Sequence, residues 1–141
     1  MFTGEFDHTI DIKGRMIIPS KFRNLLGEDF VISKSLDGCL SIYEKSKWDE
    51  FEQKLNALPY TNEKARNLKR FILGSSTICE LDKQGRILVP KPLRESAGIV
   101  QDVVTIGVGD HIEIWSKERF TQDESFNDYK KLSEDMEGLG I

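Results

Sequence analysis

The sequence predicts a mainly β protein with flanking helices (α+β), built from two tandem copies of one unit. Three observations support this prediction: an internal repeat at an offset of 71 residues, a glycine turn before a short apolar run in each copy, and alternating strand patterns downstream. The 141 residues, 38% of them hydrophobic, suffice for one ordinary domain or two small ones. We assign residues 1–71 to the first unit with its C-terminal helices, and residues 72–141 to the second unit with its C-terminal helix and an acidic tail.

The repeat is a gapless match between residues 11–23, DIKGRMIIPSKFR, and residues 82–94, DKQGRILVPKPLR. Both copies carry three apolar residues between the first arginine and the proline. One unit has therefore been duplicated within the chain. The identical pairs are Asp11 and Asp82, Gly14 and Gly85, Arg15 and Arg86, Pro19 and Pro90, and Arg23 and Arg94.

Each copy predicts the same order of local elements. A strand precedes the aspartate, and a turn at Gly14 or Gly85 bends the chain into a tight strand pair, because glycine adopts positive φ most easily. The proline then opens a short helix, since its fixed φ suits the first helical position. Gly27 or Gly98 ends that helix.

Two further strands follow in each unit, joined by a glycine-containing hairpin loop. The strands are predicted at residues 30–32 and 39–43, with loop Asp37–Gly38, and at residues 103–106 and 111–115, with loop Gly109–Asp110.

Each unit ends in a longer helical segment. Ser46 is suited to cap the first, and Ser116 to cap the second, which we expect to extend to Met136. The aromatic residues of these segments have helical or near-helical spacing, which favours core packing over base-stacking platforms. They are Trp48, Phe51, Phe120 and Phe126.

A third helix is predicted at residues 61–73. Its cations form either a solvated face, which we favour, or a second surface for DNA. They are Lys64, Arg66, Lys69 and Arg70.

Composition and motifs argue against several classes of protein. No run of 18 apolar residues and no signal-peptide pattern is present, so we expect a cytoplasmic protein without a membrane partner. Two cysteines cannot form a disulfide framework or a four-cysteine zinc site. Neither a P-loop nor G-x-G-x-x-G occurs, and we expect no cofactor and no small-molecule substrate.

Catalytic and metal sites are also disfavoured. The repeat relates Asp11 to Asp82, as the two catalytic aspartates of a pseudo-symmetric aspartic protease are related. Such a protease needs a hydroxyl-bearing residue and a glycine directly after each aspartate, and neither follows here. We therefore predict that the chain is not an enzyme. Two histidines and two cysteines of the chain are suitable ligands for tetrahedral zinc. Their spacings in the sequence are too wide for a typical zinc site, so no metal is expected. The four residues are His8, Cys39, Cys79 and His111.

The charge distribution points to a polyanionic partner. The net charge is −4, yet each repeat window sets one aspartate against four cations, a local charge of +3. Arg15 and Arg86 lie at the turns, where a planar fork of donors can contact phosphate or guanine, and Asp11 and Asp82 can orient them. The alternative is that these Asp–Arg pairs only hold the turns together. The predicted DNA-contacting residues are Arg15, Arg86, Lys13, Lys83, Lys21, Arg23, Lys91 and Arg94.

The doubled D-x-x-x-R motif, each copy followed by an apolar run and a proline-started helix, resembles the MraZ family, whose chain holds two SpoVT-AbrB type units. The resemblance extends from Phe2 to about Phe120 and implies a swapped-hairpin β-barrel formed by both halves and ring-like homo-oligomers. It also implies a nucleoid-associated DNA-binding regulator of transcription, acting on its own operon and the division and cell-wall gene cluster. The family's motif residues correspond to Asp11, Arg15, Asp82 and Arg86, but Lys13 has Gln84 as its counterpart, so these two positions are not equivalent.

Double-stranded DNA is thus the expected partner, bound at promoter repeats. One chain offers only two turns with one arginine each, and linked copies gain effective concentration for successive contacts. The rival interpretation is an antitoxin-like or assembly module that binds a protein partner, which a protein-binding acidic C-terminus would favour.

Overall fold

Eight strands and six α-helices are arranged in two similar series in the computed structural model, which describes residues 1–141. The first half contains β1 (Phe2–Thr9), β2 (Arg15–Ile17), α1 (Ser20–Leu26), β3 (Phe30–Lys34), β4 (Leu40–Glu44), α2 (Lys45–Asn56) and α3 (Glu63–Ile72). The second half contains β5 (Thr77–Cys79), β6 (Arg86–Leu88), α4 (Lys91–Ser96), β7 (Asp102–Gly109), β8 (Ile112–Ser116), α5 (Lys117–Gln122) and α6 (Tyr129–Gly138). Two short 3-10 helices lie at Leu73–Ser75 and Glu124–Phe126.

The strands form two separate antiparallel sheets. Six strands make one sheet in the order β1-β7-β8-β4-β3-β5, and β2 pairs with β6 in a two-stranded ribbon. Only the predicted hairpins, β3–β4 and β7–β8, join neighbours within one half of the chain. Every other pairing joins a strand of one half to a strand of the other, so the two halves are interleaved.

The predicted tight strand pair within each repeat is wrong. Strand β1 pairs with β7, and β2 pairs with β6, with Met16 opposite Ile87. The backbones of these two short strands form hydrogen bonds with each other. The Met16 and Ile87 side chains are both buried in the same core. The turns at Gly14 and Gly85 are present, with φ of +90° and +76°.

The main core lies between the sheet and the ribbon. Its 19 buried residues come from both halves, and Phe22 of α1 packs edge-on against Phe2 and Phe6 at ring-centroid distances of 5.8 and 5.3 Å. The mainly β class with flanking helices is confirmed. The swapped-hairpin barrel stays a prediction, because the hydrogen bonds define an open sheet with β1 and β5 at its edges.

Two predicted helix features are wrong. Helix α2 begins at Lys45 after Glu44, so Ser46 lies inside its first turn and does not cap it. The C-terminal segment is not one helix, because the Asp123 side chain accepts a hydrogen bond from the Ser125 amide, and Asp128 caps a separate helix, α6. Ser116 does cap α5, accepting from the Arg119 amide at 3.4 Å.

The helical aromatic residues lie in small apolar clusters. Trp48 is buried with Phe51 beside it, and Phe120 and Phe126 pack against Trp115. No helix of the chain combines the length and the apolar character needed to cross a bilayer.

Candidate nucleic-acid interface

The first repeat turn is organised by the carboxylate of Asp11. Its Oδ1 accepts hydrogen bonds from the backbone amides of Lys13 at 3.0 Å and Arg15 at 2.9 Å, and its Oδ2 accepts from Arg15 Nε at 2.7 Å. The Gly14 amide donates to the Asp11 carbonyl at 2.9 Å and closes the turn. One side chain thereby fixes both the backbone of the turn and the direction of its arginine.

The second turn repeats this geometry. Asp82 accepts from the amides of Gln84 at 2.8 Å and Arg86 at 2.9 Å, and from Arg86 Nε at 2.8 Å. Positions 13 and 84 contribute only a backbone N–H to this arrangement, so the turn is formed equally well with Lys13 or Gln84.

Each guanidinium keeps its outer end free. The ion pair uses Nε, and neither Nη nitrogen of Arg15 or Arg86 forms a hydrogen bond with the protein. The two arginine side chains are 38% and 27% exposed. Because a guanidinium has five N–H donors, four remain available to an external acceptor on each turn.

Hydrogen bonding keeps both aspartates ionised. Backbone hydrogen bonds from Arg15 and Arg86, followed by the side-chain bonds from the same residues, hold the pKa of Asp11 and of Asp82 below the ordinary value, although desolvation opposes them. The acceptors that orient the arginines are therefore charged at neutral pH.

The ribbon brings the two arginines together. Arg15 lies opposite Leu88, and Ile17 lies opposite Arg86, so the arginines are diagonal neighbours on one face, a relation that typically separates residues by about 7–8 Å. Ile17 and Leu88 share that outer face and are 50% and 59% exposed. The sequence interpretation missed this apolar pair. It was predictable, because side chains alternate along a strand, so the middle residue of each apolar triplet lies on the face away from the two residues beside it.

The other predicted cations are divided among different positions. Lys13 and Lys83 are exposed on the turns. Lys21 donates to Thr3 Oγ1 of β1 at 3.2 Å, and Lys91 lies 3.9 Å from Glu95 on its own helix.

The remaining two cations, Arg23 and Arg94, lie against the turns of the opposite repeats. The guanidinium of Arg94 lies over Gly14, and that of Arg23 lies over Gly85. These contacts across the repeats could not be inferred from the spacing within one repeat.

The histidines and cysteines are not assembled into a site. Burial raises the pKa of the Cys39 thiol to about 12 and that of Cys79 to about 11. Nowhere in residues 1–141 do three His, Cys, Asp or Glu side chains form a group that could hold a metal ion. His111 instead stacks on Tyr43 at 4.6 Å and contacts Asp110 at 2.7 Å and Glu113 at 3.8 Å.

His111 should stabilise the fold most at low pH. Burial opposes its protonation, but the nearby carboxylate of Glu113 and the hydrogen-bonded carboxylate of Asp110 outweigh burial and raise its pKa above the ordinary 6.5. Its contribution is fully present below pH 6.5 and is lost as the pH rises through the pKa of the folded state. His111→Gln should therefore reduce the free energy of unfolding more at pH 5.5 than at pH 9, as measured by urea titration.

His8 provides a control, because its contribution to stability should change with pH in the opposite direction. Burial lowers its pKa, against the charge of Asp7, so its contribution is present above pH 6.5 and is lost as the pH falls. His8→Gln should cost more at pH 9 than at pH 5.5. An equal cost of His111→Gln at both pH values would contradict a raised pKa of His111 in the folded protein.

The interleaved fold and its two Asp–Arg turns define a protein of duplicated units that displays paired arginines on a ribbon. The family described as "MraZ protein, putative antitoxin-like" matches residues 1–71 and 72–136. The chain belongs to the MraZ family, as the resemblance of its motifs predicted.

Curated relatives match along the whole chain. A protein of Clostridium botulinum (strain Alaska E43) named "Transcriptional regulator MraZ" is 50% identical over 142 residues, covering 100% of both chains. Proteins of the same name from Moorella thermoacetica and Lachnoclostridium phytofermentans are 50% and 47% identical, each covering 100% of this chain and 100% and 99% of the relative.

Proposed function

We propose that the protein is a sequence-specific, DNA-binding regulator of transcription that reads repeated promoter sites with Arg15 and Arg86. The observation that carries the proposal is that both arginines use Nε to bind an aspartate, which leaves the Nη nitrogens free on one face of the ribbon. Two parallel donors of this kind match the O6 and N7 acceptors of guanine. The names of the relatives support the same class of function.

Other groups have supporting roles in this proposal. Asp11 and Asp82 fix the direction of the two guanidinium groups, and Lys13 and Lys83 contact phosphates beside the turns. Lys21 and Lys91 add further positive charge along the helices that follow. A two-stranded ribbon of this size is narrow enough to enter the major groove. The proposal involves binding and no catalysis.

Membership of the family supports a proposal for the wider biological role. We propose that the protein acts in the cytoplasm on nucleoid DNA, at its own operon and the division and cell-wall gene cluster. We also propose that the two units, residues 1–71 and 72–141, exchange hairpins to form a barrel-like core, and that chains assemble into ring-like homo-oligomers. The pairing of strands between the halves supports the exchange.

A second candidate function is an antitoxin-like or assembly module that binds a protein. Helix α6 buries no residue and leaves Tyr129 and Met136 exposed beside acidic side chains, a surface that a partner could cover. The direct test of both functions is a gel shift with the DNA upstream of the protein's own gene and a scrambled fragment of equal length. A shift specific to the upstream DNA supports the regulator, and no shift favours the protein-binding module.

Binding should also depend strongly on salt. The two +3 windows can neutralise about four to six phosphates, which gives a slope of about −4 to −5 for the logarithm of affinity against the logarithm of salt concentration, per engaged chain. Fluorescence anisotropy between 50 and 200 mM salt measures this slope. A flat response would favour the protein-binding function.

A further inference from the structure

We propose that Arg94 and Arg23 are positioning residues, each of which holds the DNA-reading turn of the opposite repeat in place. This inference rests on the proposed function of Arg15 and Arg86. It changes the role predicted for Arg23 and Arg94 from contact with DNA to support of the residues that make the contact.

The first support is the packing of each guanidinium on a glycine. A Cβ atom built on Gly14 would lie 2.7 Å from Arg94 Nη1 and 2.8 Å from Arg94 Cζ, and one built on Gly85 would overlap the Arg23 guanidinium. Both glycines are buried although they lie in turns. Glycine is therefore required at these positions for space as well as for positive φ.

The second support is that backbone hydrogen bonds tie the same parts together. The Val89 amide donates to the Gly14 carbonyl at 2.7 Å, and the Ile18 amide donates to the Gly85 carbonyl at 3.0 Å. Val89 and Ile18 lie directly before the prolines that start α4 and α1. The helix that carries each positioning arginine is thus attached to the turn that the arginine covers.

The third support is the bonding of the arginines themselves. Arg94 Nη1 lies 3.5 Å from the Ile12 carbonyl, a long hydrogen bond to the turn, and Arg94 Nε is buried without a protein partner. Neither Arg94 nor Arg23 lies within 4.0 Å of a carboxylate. A half-buried cation without an ion pair, packed against a turn, is placed by shape and not by charge pairing.

The consequence is a coupling that crosses the repeats. The orientation of Arg15 depends on Arg94 of the second unit, and that of Arg86 depends on Arg23 of the first unit. Residues that act through the same turn should show non-additive effects, and residues of separate turns should show additive ones.

The test uses Arg94→Lys in the full-length protein, because lysine keeps the charge and lacks the planar guanidinium. A phosphate contact would survive this change, since lysine also binds phosphate. A positioning role would not survive it, and affinity for the upstream DNA should fall about tenfold, with affinity for scrambled DNA and the salt slope unchanged. Arg70→Lys on α3 makes the same chemical change at an exposed arginine away from the turns, so it is the matched control and should leave binding unchanged.

Double variants then locate the coupling. The variant that combines Arg94→Lys with Arg15→Ala should bind the upstream DNA with an affinity within about twofold of that of Arg15→Ala alone. Combined with Arg86→Ala, Arg94→Lys should reduce the affinity by the product of the two single fold-losses. Unchanged promoter binding by Arg94→Lys, or additivity with Arg15→Ala, would overturn the proposal.

NMR of the arginine Nε–H signals without DNA separates this proposal from the proposed function. Arg94→Lys should shift the signal of Arg15 and leave that of Arg86 in place, while Arg23→Lys should do the reverse. If these shifts occur but Arg15→Ala binds promoter DNA normally, the positioning role stands and the DNA-reading function fails. If Arg15→Ala loses binding and neither signal moves, the positioning role fails.

Discussion

Replacing Arg15 and Arg86 together with alanine should abolish specific binding to promoter DNA and leave the fold intact. Each arginine offers four unpartnered N–H donors, and a bidentate contact to a base contributes about 1–3 kcal/mol of discrimination. The double change should therefore cost about 2–6 kcal/mol in specific binding. Anisotropy titration with the upstream fragment measures the loss.

The fold should tolerate this change. The amides of Arg15 and Arg86 still donate to the aspartates, and ion pairs as exposed as these contribute little to stability. Circular dichroism and thermal unfolding of the double variant check this expectation. A folded double variant that binds the upstream DNA as tightly as the parent would show that the interface is wrongly placed.

The matched control removes the same charge from helix α3. Lys64 and Arg70 are exposed there, and Lys64→Ala/Arg70→Ala should leave DNA binding nearly unchanged if that helix is a solvated face. A loss equal to that of the turn variant would instead identify α3 as a second DNA surface.

The turns themselves were predictable from sequence because their interactions are local. Asp11 bonds to residues two and four positions ahead, and Gly14 supplies positive φ, so a short motif is enough to predict the turn and its Asp–Arg pair. The same is true of the break after α5, where Asp123 two residues before Ser125 is a recognisable capping pattern. The prediction of one continuous helix gave the apolar spacing too much weight.

The pairing of the repeats was not predictable from local rules. A duplicated sequence shows that two units are alike, but it does not show which strand pairs with which. Strand β2 has three residues and suits a hairpin with β1 as well as a ribbon with β6 by pattern alone. Burial of Met16 against Ile87 in a shared core decides the outcome, and the placement of Arg94 on Gly14 follows from it.

The size of the ribbon limits what one chain can read. Diagonal neighbours such as Arg15 and Arg86 are typically about 7–8 Å apart, and base pairs follow one another at about 3.4 Å, so two arginines on one ribbon cover only about two to three base pairs. A target that short recurs throughout a genome. Under the proposed function, specific binding then requires several chains to engage neighbouring copies of the site, which the proposed homo-oligomer would allow.

Inserting half a helical turn between promoter repeats should therefore remove most of the binding. Neighbouring chains that contact one face of stiff DNA need sites about 10–10.5 base pairs apart, and an insertion of about five base pairs moves the second site to the opposite face. Loss of the linked contact should weaken binding about 10²–10⁴-fold, towards the affinity of a single repeat. Titration of fragments with two repeats measures this change.

An insertion of one full turn is the control for the half-turn insertion. It restores the face of the DNA while lengthening the spacing, so binding should recover in large part unless the oligomer cannot span the added distance. Deleting one repeat should weaken binding as much as the half-turn insertion does, because both leave a single ribbon engaged. Equal affinity for one isolated repeat and for two would mean that one chain suffices, and the multivalent mechanism would then be wrong.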